Sequence, residues 1–188
     1  MGGYGIDGCL SSMVGASLIH RDKLYFGVFG DLAFFYDMNV LGNRHIGNNL
    51  RIMLINNGKG NEFHNFNQNW SQFGDYADVY GAAGGHFGCK SPDLVRHYAE
   101  DLEFEYLTAS DMESFLATVK RFVTPELTGK SILFEVFLNG ADDSEAYQIM
   151  RRLVVNPKEK MKNKVVDTVR QVMGDTTTRK IADILKLK

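Results

Sequence analysis

Two short polar segments of the chain each follow an apolar run and carry oxygen donors. Gly30-Asp31 follows the run Lys23–Phe29, and Asn56-Asn57 follows the run Leu50–Ile55. Carboxylate and amide oxygens are ligands that suit Mg²⁺ or Ca²⁺ rather than Zn²⁺. A hard cation beside the first N–H groups of a helix would bind a diphosphate. These residue types therefore predict a site for a divalent cation and a diphosphate.

The elements around these segments should bring them together. Both apolar runs have the length and composition of buried strands, and Ala33–Ile46 between them places apolar side chains at helical spacing. Such a βαβ unit brings both strand ends to one edge of a parallel sheet. Asn57 follows Asp31 by 26 residues, which suits a turn, a crossover helix and a return strand. A structural alternative stays open, in which Asp31 caps the helix and Asn56-Asn57-Gly58 forms a simple turn.

Strand and helix signals alternate through the rest of the chain. Phe104–Leu107 and Ile132–Phe137 are typical of strands. Helices are predicted to open at Ser91-Pro92, at a capping box in Ser110–Glu113 and at Asp142. This alternation predicts an α/β fold of three layers, with a mostly parallel sheet flanked by helices.

Composition excludes several classes of protein. The chain has 188 residues, of which 44% are hydrophobic and 23% charged, so it can bury a core without disulfides or metal staples. No apolar run approaches the roughly 20 residues that span a bilayer, and the first residues do not resemble a signal peptide. Cys9 and Cys89 form no C-x-x-C pattern. We therefore expect a cytoplasmic protein that has no membrane partner.

Charge is unevenly distributed along the chain. Residues 151–188 contain 11 Lys and Arg against 4 Asp and Glu, whereas the preceding 150 residues contain 10 against 19. The basic residues are spread over helical patterns without interleaved aromatic residues, which favours solvated helix faces over a nucleic-acid site. We predict a binding domain over residues 1–155 and a basic helical tail over residues 156–188.

The two polar segments also carry a resemblance to a known family. Gly30-Asp31, followed after 26 residues by Asn57, resembles the cofactor motif of thiamine-diphosphate-dependent enzymes. The segments Gly5–Ser12 and Gly30–Asn39 resemble the menaquinone-pathway branch, the succinyl-enolpyruvyl-hydroxycyclohexene-carboxylate synthases. Leu32 favours this branch because most other relatives have Gly at that position. The resemblance covers residues 4 to 150 and not the basic tail.

This resemblance implies a set of residues that bind thiamine diphosphate and Mg²⁺. Mg²⁺ would be bound by the side chains of Asp31 and Asn57 and by the backbone carbonyl of Lys59. The backbone near the first strand end would face the diphosphate, and Ile6 would support the bent cofactor. The implied cofactor-binding residues are Gly5, Ile6, Gly30, Asp31, Leu32, Ala33, Asn57, Lys59 and Gly60.

The resemblance also implies an activity and a missing partner. Such enzymes decarboxylate a small 2-oxo acid and transfer the acyl group, as transferases or lyases. Their activating glutamate lies on a separate pyrimidine-binding domain, so we expect no catalytic residue in this chain and no activity from it alone. Because the chain starts almost at Gly5–Gly8, we expect the C-terminal part of a longer, homo-oligomeric enzyme. Two alternatives stay open: a subunit of a split 2-oxo-acid decarboxylase, and a non-catalytic flavodoxin-like binding module.

Glu62 and Phe63 are the candidate substrate residues. The menaquinone enzymes carry an apolar residue and then Phe at these positions, so Glu62 places a carboxylate where an anionic substrate would lie. Because like charges repel in a desolvated pocket, we hypothesise an acceptor that is less acidic or bears an amine. His64 and His86 lie within the Gly- and Asn-rich segment over residues 56–90, and either could contact a substrate.

Overall fold

The computed structural model describes residues 6–64, 72–86 and 90–153, together with Thr168. The chain divides into two compact units, Met1–Ser144 and Glu145–Lys188. The helices predicted beyond residue 156 lie outside the described residues apart from Thr168, so the predicted boundary at residue 155 stays a prediction. No helix in the described ranges combines the length and apolar character needed to cross a membrane.

The first unit is built on a four-stranded sheet. Its strands are β1 (Tyr25–Gly30), β2 (Leu50–Asn56), β3 (Glu105–Ala109) and β4 (Ile132–Phe137). They are ordered β1-β2-β4-β3, and every neighbouring pair is parallel. The predicted parallel α/β architecture is therefore confirmed.

Helices cover both faces of this sheet. The described helices are α1 (Cys9–Ser17), α2 (Asp31–Asp37), α3 (Asp75–Tyr80), α4 (Leu94–Asp101), α5 (Met112–Phe122) and α6 (Gly140–Leu153), and those that pack against the sheet are α1, α2, α4 and α5. Buried residues of α1, α2 and α4 share one apolar cluster with β2, whereas α5 packs in a second cluster with β4. Because successive strand side chains point to opposite faces, Leu133 joins the first cluster, and Ile132 and Phe134 join the second.

Helix α1 was not predicted from the sequence, and its first turn explains why. Its N-cap is Gly8, which has no side chain to bind the free N–H groups. The carboxylate of Asp37 performs this role instead, since it accepts hydrogen bonds from the backbone N–H and the hydroxyl of Ser11. The cap therefore comes from a residue 26 positions away from Ser11, and no local pattern reveals it.

The crossover helix predicted over Ala33–Ile46 is wrong in extent. The structure has the short helix α2 from Asp31 to Asp37, followed by a 3-10 turn over Met38–Gly42. Asp37 leaves the helical region with a φ of −127°, and its side chain turns back towards α1. Apolar side chains do recur at helical spacing, but the α-helix ends at Asp37, the residue that binds Ser11.

Three other predicted helix starts shift by a few residues. Helix α4 has Asp93 as its N-cap, whereas the sequence indicated Ser91. The capping box of α5 pairs Asp111 with Ser114 rather than Ser110 with Glu113. Helix α6 begins at Gly140, before Asp142.

Gly27 and Gly15 provide a matched test of the packing between α1 and β1. A Cβ on Gly27 would lie 2.5 Å from the sulfur of Met13 and 2.5 Å from a ring carbon of Phe29, whereas a Cβ on Gly15 would meet nothing within 4 Å. We expect Gly27→Ala to lower the free energy of unfolding by about 1–3 kcal/mol because the core is overpacked. Gly15→Ala should raise it by about 0.5–1 kcal/mol, since it lies inside a helix. Urea unfolding measures both, and equal effects of the two changes would contradict this packing.

Candidate functional site

The carboxyl ends of β1 and β2 lie side by side at one edge of the sheet. Gly30, the last residue of β1, pairs with Ile55 of β2. Helix α2 starts at the next residue, Asp31, and β2 ends one residue before Asn57. The register therefore delivers the predicted carboxylate and the predicted amide to the same place.

A cavity of about 410 Å³ opens at this edge of the first unit. Eight of the nine residues predicted to bind the cofactor line it, and Gly5 lies outside the described residues. Glu62 also lines the cavity, whereas Phe63 is not among the lining residues. The lining residues are Ile6, Gly30, Asp31, Leu32, Ala33, Ile55, Asn57, Lys59, Gly60, Asn61, Glu62 and Asp143.

The carboxylate of Asp31 is buried, with 2% of the residue exposed. Its Oδ1 accepts the backbone N–H of Leu32 at 2.8 Å, and its Oδ2 lies 2.9 Å from Nε2 of His86. The N-cap of α2 is Gly30, which has no side chain to cap the helix. Asp31 is therefore the first residue of α2 and not its N-cap, although its carboxylate binds one free N–H of the first turn. The sequence did not reveal its contact with His86.

Asn57 is fixed by a carboxylate that sequence reasoning missed. Its Nδ2 donates to Oδ2 of Asp143 at 3.0 Å, and its Oδ1 accepts the backbone N–H of Lys59 at 3.3 Å. Asp143 lies in the first turn of α6, the helix that follows β4. One partial signal was available, because Asp143 follows the predicted strand Ile132–Phe137 and parallel strands end at the same edge of a sheet. The sequence does not show, however, that this strand lies next to β2.

Asn61 also lines the cavity and extends this polar cluster. It is 8% exposed, and its Nδ2 lies 2.9 Å from the carbonyl oxygen of Gly140, 2.8 Å from Oδ2 of Asp143 and 3.0 Å from Oγ of Ser144, so its two N–H groups are shared among three acceptors. Within the described residues, its Oδ1 is buried without a hydrogen-bond partner. The segment after β2 is therefore anchored to the start of α6.

The first residue of the Asn pair points into the core rather than to the cavity. Nδ2 of Asn56 donates to Oε1 of Glu135 at 2.8 Å, and the hydroxyl of Tyr106 donates to Oε2 at 2.7 Å. Glu135 is 1% exposed. Burial raises the pKa of Glu135 above its usual range, and burial together with the contact to Glu135 raises the pKa of Tyr106. The two Asn side chains thus have separate carboxylate partners.

Lys59 contributes its backbone to the cavity while its ammonium is engaged elsewhere. Its Nζ lies 3.1 Å from a carboxylate oxygen of Asp78 on α3, and the ring of His64 contacts the same carboxylate. Partial burial acts to raise the pKa of Asp78, but the hydrogen bonds from His64 and Lys59 outweigh it and lower that pKa. The segment after β2 is therefore tied to α3 through Asp78, which contacts both Lys59 and His64.

The residues present fit a divalent cation with a diphosphate. Within the described ranges, no three His, Cys, Asp or Glu side chains lie close enough to hold a metal. A cation would therefore depend on fewer than three such side chains together with amide and carbonyl oxygens, and oxygen ligands of this kind are those that Mg²⁺ prefers. A Cβ on Gly30 would project into open space, so this backbone stays accessible to a ligand. The roles of Asp31, Asn57 and Lys59 as ligands stay predictions.

Comparison with known proteins gives the chain a set of relatives. No protein-family model matches it. The 2-succinyl-5-enolpyruvyl-6-hydroxy-3-cyclohexene-1-carboxylate synthase of Bacteroides fragilis is 36% identical over 143 residues, which is 76% of this chain and 24% of the synthase. This chain is a relative of that synthase. The enzyme of the same name from Phocaeicola vulgatus is 33% identical over 140 residues, covering 74% of the chain and 24% of the relative.

A third synthase of this name, from Desulfotalea psychrophila, is 51% identical over 59 residues, which is 31% of the chain and 11% of the relative. The resemblance to the menaquinone-pathway synthases is therefore confirmed. The chain spans about a quarter of the length of the Bacteroides and Phocaeicola synthases that it matches.

Glu135 should make the stability of this synthase relative depend on pH. An acid whose pKa is raised by folding stabilises the fold fully below its unfolded pKa, near 4.5, and loses that contribution as the pH rises through the folded pKa. Glu135→Gln removes this titration, while its amide can still accept from Asn56 and donate to Tyr106. We expect the variant to gain stability relative to wild type between about pH 5 and about pH 8.

Urea unfolding of both proteins at the two pH values measures this change. Glu100→Gln, at an exposed position on α4, is the matched control. The free energy of unfolding of this variant should change between the two pH values as that of wild type does. If wild type instead gained stability relative to the Glu135→Gln variant as the pH rises, burial would not be what determines the pKa of Glu135.

Proposed function

We propose that this chain supplies the part of a thiamine-diphosphate-dependent enzyme that binds the diphosphate and Mg²⁺. The complete enzyme would decarboxylate a small 2-oxo acid and transfer the resulting acyl group, as the related synthases suggest. One observation carries this proposal: Asp31, Asn57, Lys59 and the backbone of Gly30 to Ala33 line a single cavity at the ends of two parallel strands.

Three oxygen donors are suited to hold Mg²⁺ in this cavity. They are the carboxylate of Asp31, the side-chain oxygen of Asn57 and the backbone carbonyl of Lys59. The burial of Asp31 strengthens its attraction for a cation, because little water screens the charge. The hydrogen bond from Leu32 to Oδ1 fixes the carboxylate in one orientation.

The same cavity offers backbone and apolar surface for the rest of the cofactor. Gly30 leaves its backbone uncovered, and Leu32 and Ala33 follow it along the wall. Ile6 provides the apolar contact that would support the bent cofactor. When bound, thiamine diphosphate supplies the nucleophilic carbon and the electron sink for decarboxylation.

A complete site also needs groups from outside this chain. The activating glutamate would come from a pyrimidine-binding domain, in the same polypeptide or in another chain of a homo-oligomer. The chain covers about a quarter of the related synthases, which leaves room for such a domain in those proteins. We therefore propose that this chain alone is inactive, and that the complete enzyme is cytoplasmic.

The carboxylates of the cavity favour an acceptor that bears an amine. Glu62 and Asp143 both line the cavity, and Glu62 is exposed to solvent. The ammonium of Lys59 is paired with Asp78 and is therefore less available for an anionic acceptor. Efficient turnover of 2-oxoglutarate with isochorismate by the complete enzyme would overturn this choice of acceptor.

Binding of thiamine diphosphate should depend on both Mg²⁺ and Asp31. We expect calorimetry to detect binding by the wild-type chain only with Mg²⁺ present. Asp31→Ala and Asn57→Ala should each weaken it by at least about tenfold, because metal sites lose about 10–100-fold when even an outer partner is removed. Asp22→Ala, which removes an exposed carboxylate, is the matched control and should bind normally.

Two results would contradict the proposed function. The first is binding that does not require Mg²⁺, because the cavity would then hold the cofactor without a bridging cation. The second is unchanged binding by Asp31→Ala, which would agree with the flavodoxin-like alternative. Circular dichroism of each variant confirms that a loss of binding is not a loss of fold.

A further inference from the structure

The carboxylate of Asp143 contacts two amide side chains at once. Its Oδ2 accepts from Nδ2 of Asn57 at 3.0 Å and from Nδ2 of Asn61 at 2.8 Å. Asn61 is 8% exposed and also binds the backbone of Gly140 and the hydroxyl of Ser144. Asp143 is therefore held in place from the buried side, while Asn57 faces the cavity.

This contact and the backbone N–H of Lys59 together fix the orientation of the Asn57 amide. An ionised carboxylate only accepts hydrogen bonds, so Asn57 must turn its NH₂ group towards Asp143. Its carbonyl oxygen then points the other way, where it accepts the backbone N–H of Lys59 in a long bond of 3.3 Å. Without Asp143, a half-turn of the amide would present N–H groups, which repel a cation.

We propose that Asp143 is a positioning residue for the cation site, where it fixes the Asn57 amide with its oxygen towards the metal. This inference rests on the proposed function, because it concerns the same Mg²⁺ site. Metal ligands in proteins are commonly oriented by a hydrogen bond from a second residue. Asp143 would be such a partner for the amide of Asn57. It lies in the first turn of α6, after β4, whereas Asn57 follows β2.

A set of variants separates orientation from charge. Asp143→Ala removes the acceptor, whereas Asp143→Asn keeps a carbonyl oxygen that can accept from Asn57 but removes the charge. Asp142→Ala is the matched control, because Asp142 is an exposed acid in the same helical turn. If Asp143→Ala does not fold, Asp143→Leu fills the space without an acceptor.

The first measurement is the affinity for Mn²⁺ in the presence of thiamine diphosphate. Electron paramagnetic resonance measures it by distinguishing free from bound Mn²⁺. We expect Asp143→Ala to bind Mn²⁺ about 10–100-fold more weakly than wild type. Asp143→Asn should recover most of this loss, and Asp142→Ala should bind like wild type. The inference is overturned if Asp143→Ala matches Asp142→Ala, or if Asp143→Asn is as weak as Asp143→Ala.

The second measurement follows the side-chain NH₂ signal of Asn57 by NMR without metal, with Asn57→Ser used to assign it. This signal should move in Asp143→Ala and not in Asp142→Ala, and an unmoved signal would refute the positioning role by itself. Failure of wild type to bind Mn²⁺ with thiamine diphosphate would instead refute the proposed function, and the positioning role would fall with it. The two failures are therefore distinguishable.

Discussion

The parallel pairing of β1 with β2 is the constraint on which the candidate site depends. Gly30 is opposite Ile55, so the chain leaves both strands at the same level and delivers Asp31 and Asn57 to one cavity. Because strand side chains alternate, a slip of one residue would exchange the two Asn side chains between core and cavity. The register is therefore a requirement of the site and not only of the core.

Strand β4 and the helix that follows it support this register with two carboxylates. Glu135, inside β4, accepts from Asn56 on the core side, and Asp143, in the first turn of α6, accepts from Asn57 on the cavity side. Each amide of the Asn pair therefore has a specific acceptor from the neighbouring strand and its connection. Either carboxylate would lose its partner after a slip, so the polar contacts and the apolar packing favour the same pairing.

Local sequence patterns predicted the strands and the proximity of Asp31 to Asn57, because a βαβ unit has a characteristic length along the chain. They could not predict contacts between residues far apart. Asp31 meets His86 after 55 residues, and Asn57 meets Asp143 after 86. Helix α1 was not predicted for the same reason, since its first turn is bound by Asp37, which lies 26 residues after Ser11. These contacts depend on strand order, which periodicity does not contain.

The charges around the cavity favour the proposed cation site. Asp31, Glu62 and Asp143 supply carboxylates, and Lys59 is the basic residue among the described residues that line the cavity. Its ammonium is bound by Asp78, which His64 also contacts. Asp31 is buried, and its carboxylate is compensated in part by the N–H of Leu32 and by the ring of His86. The divalent cation that we propose for this cavity would add to this compensation and would offset the negative charge of a diphosphate.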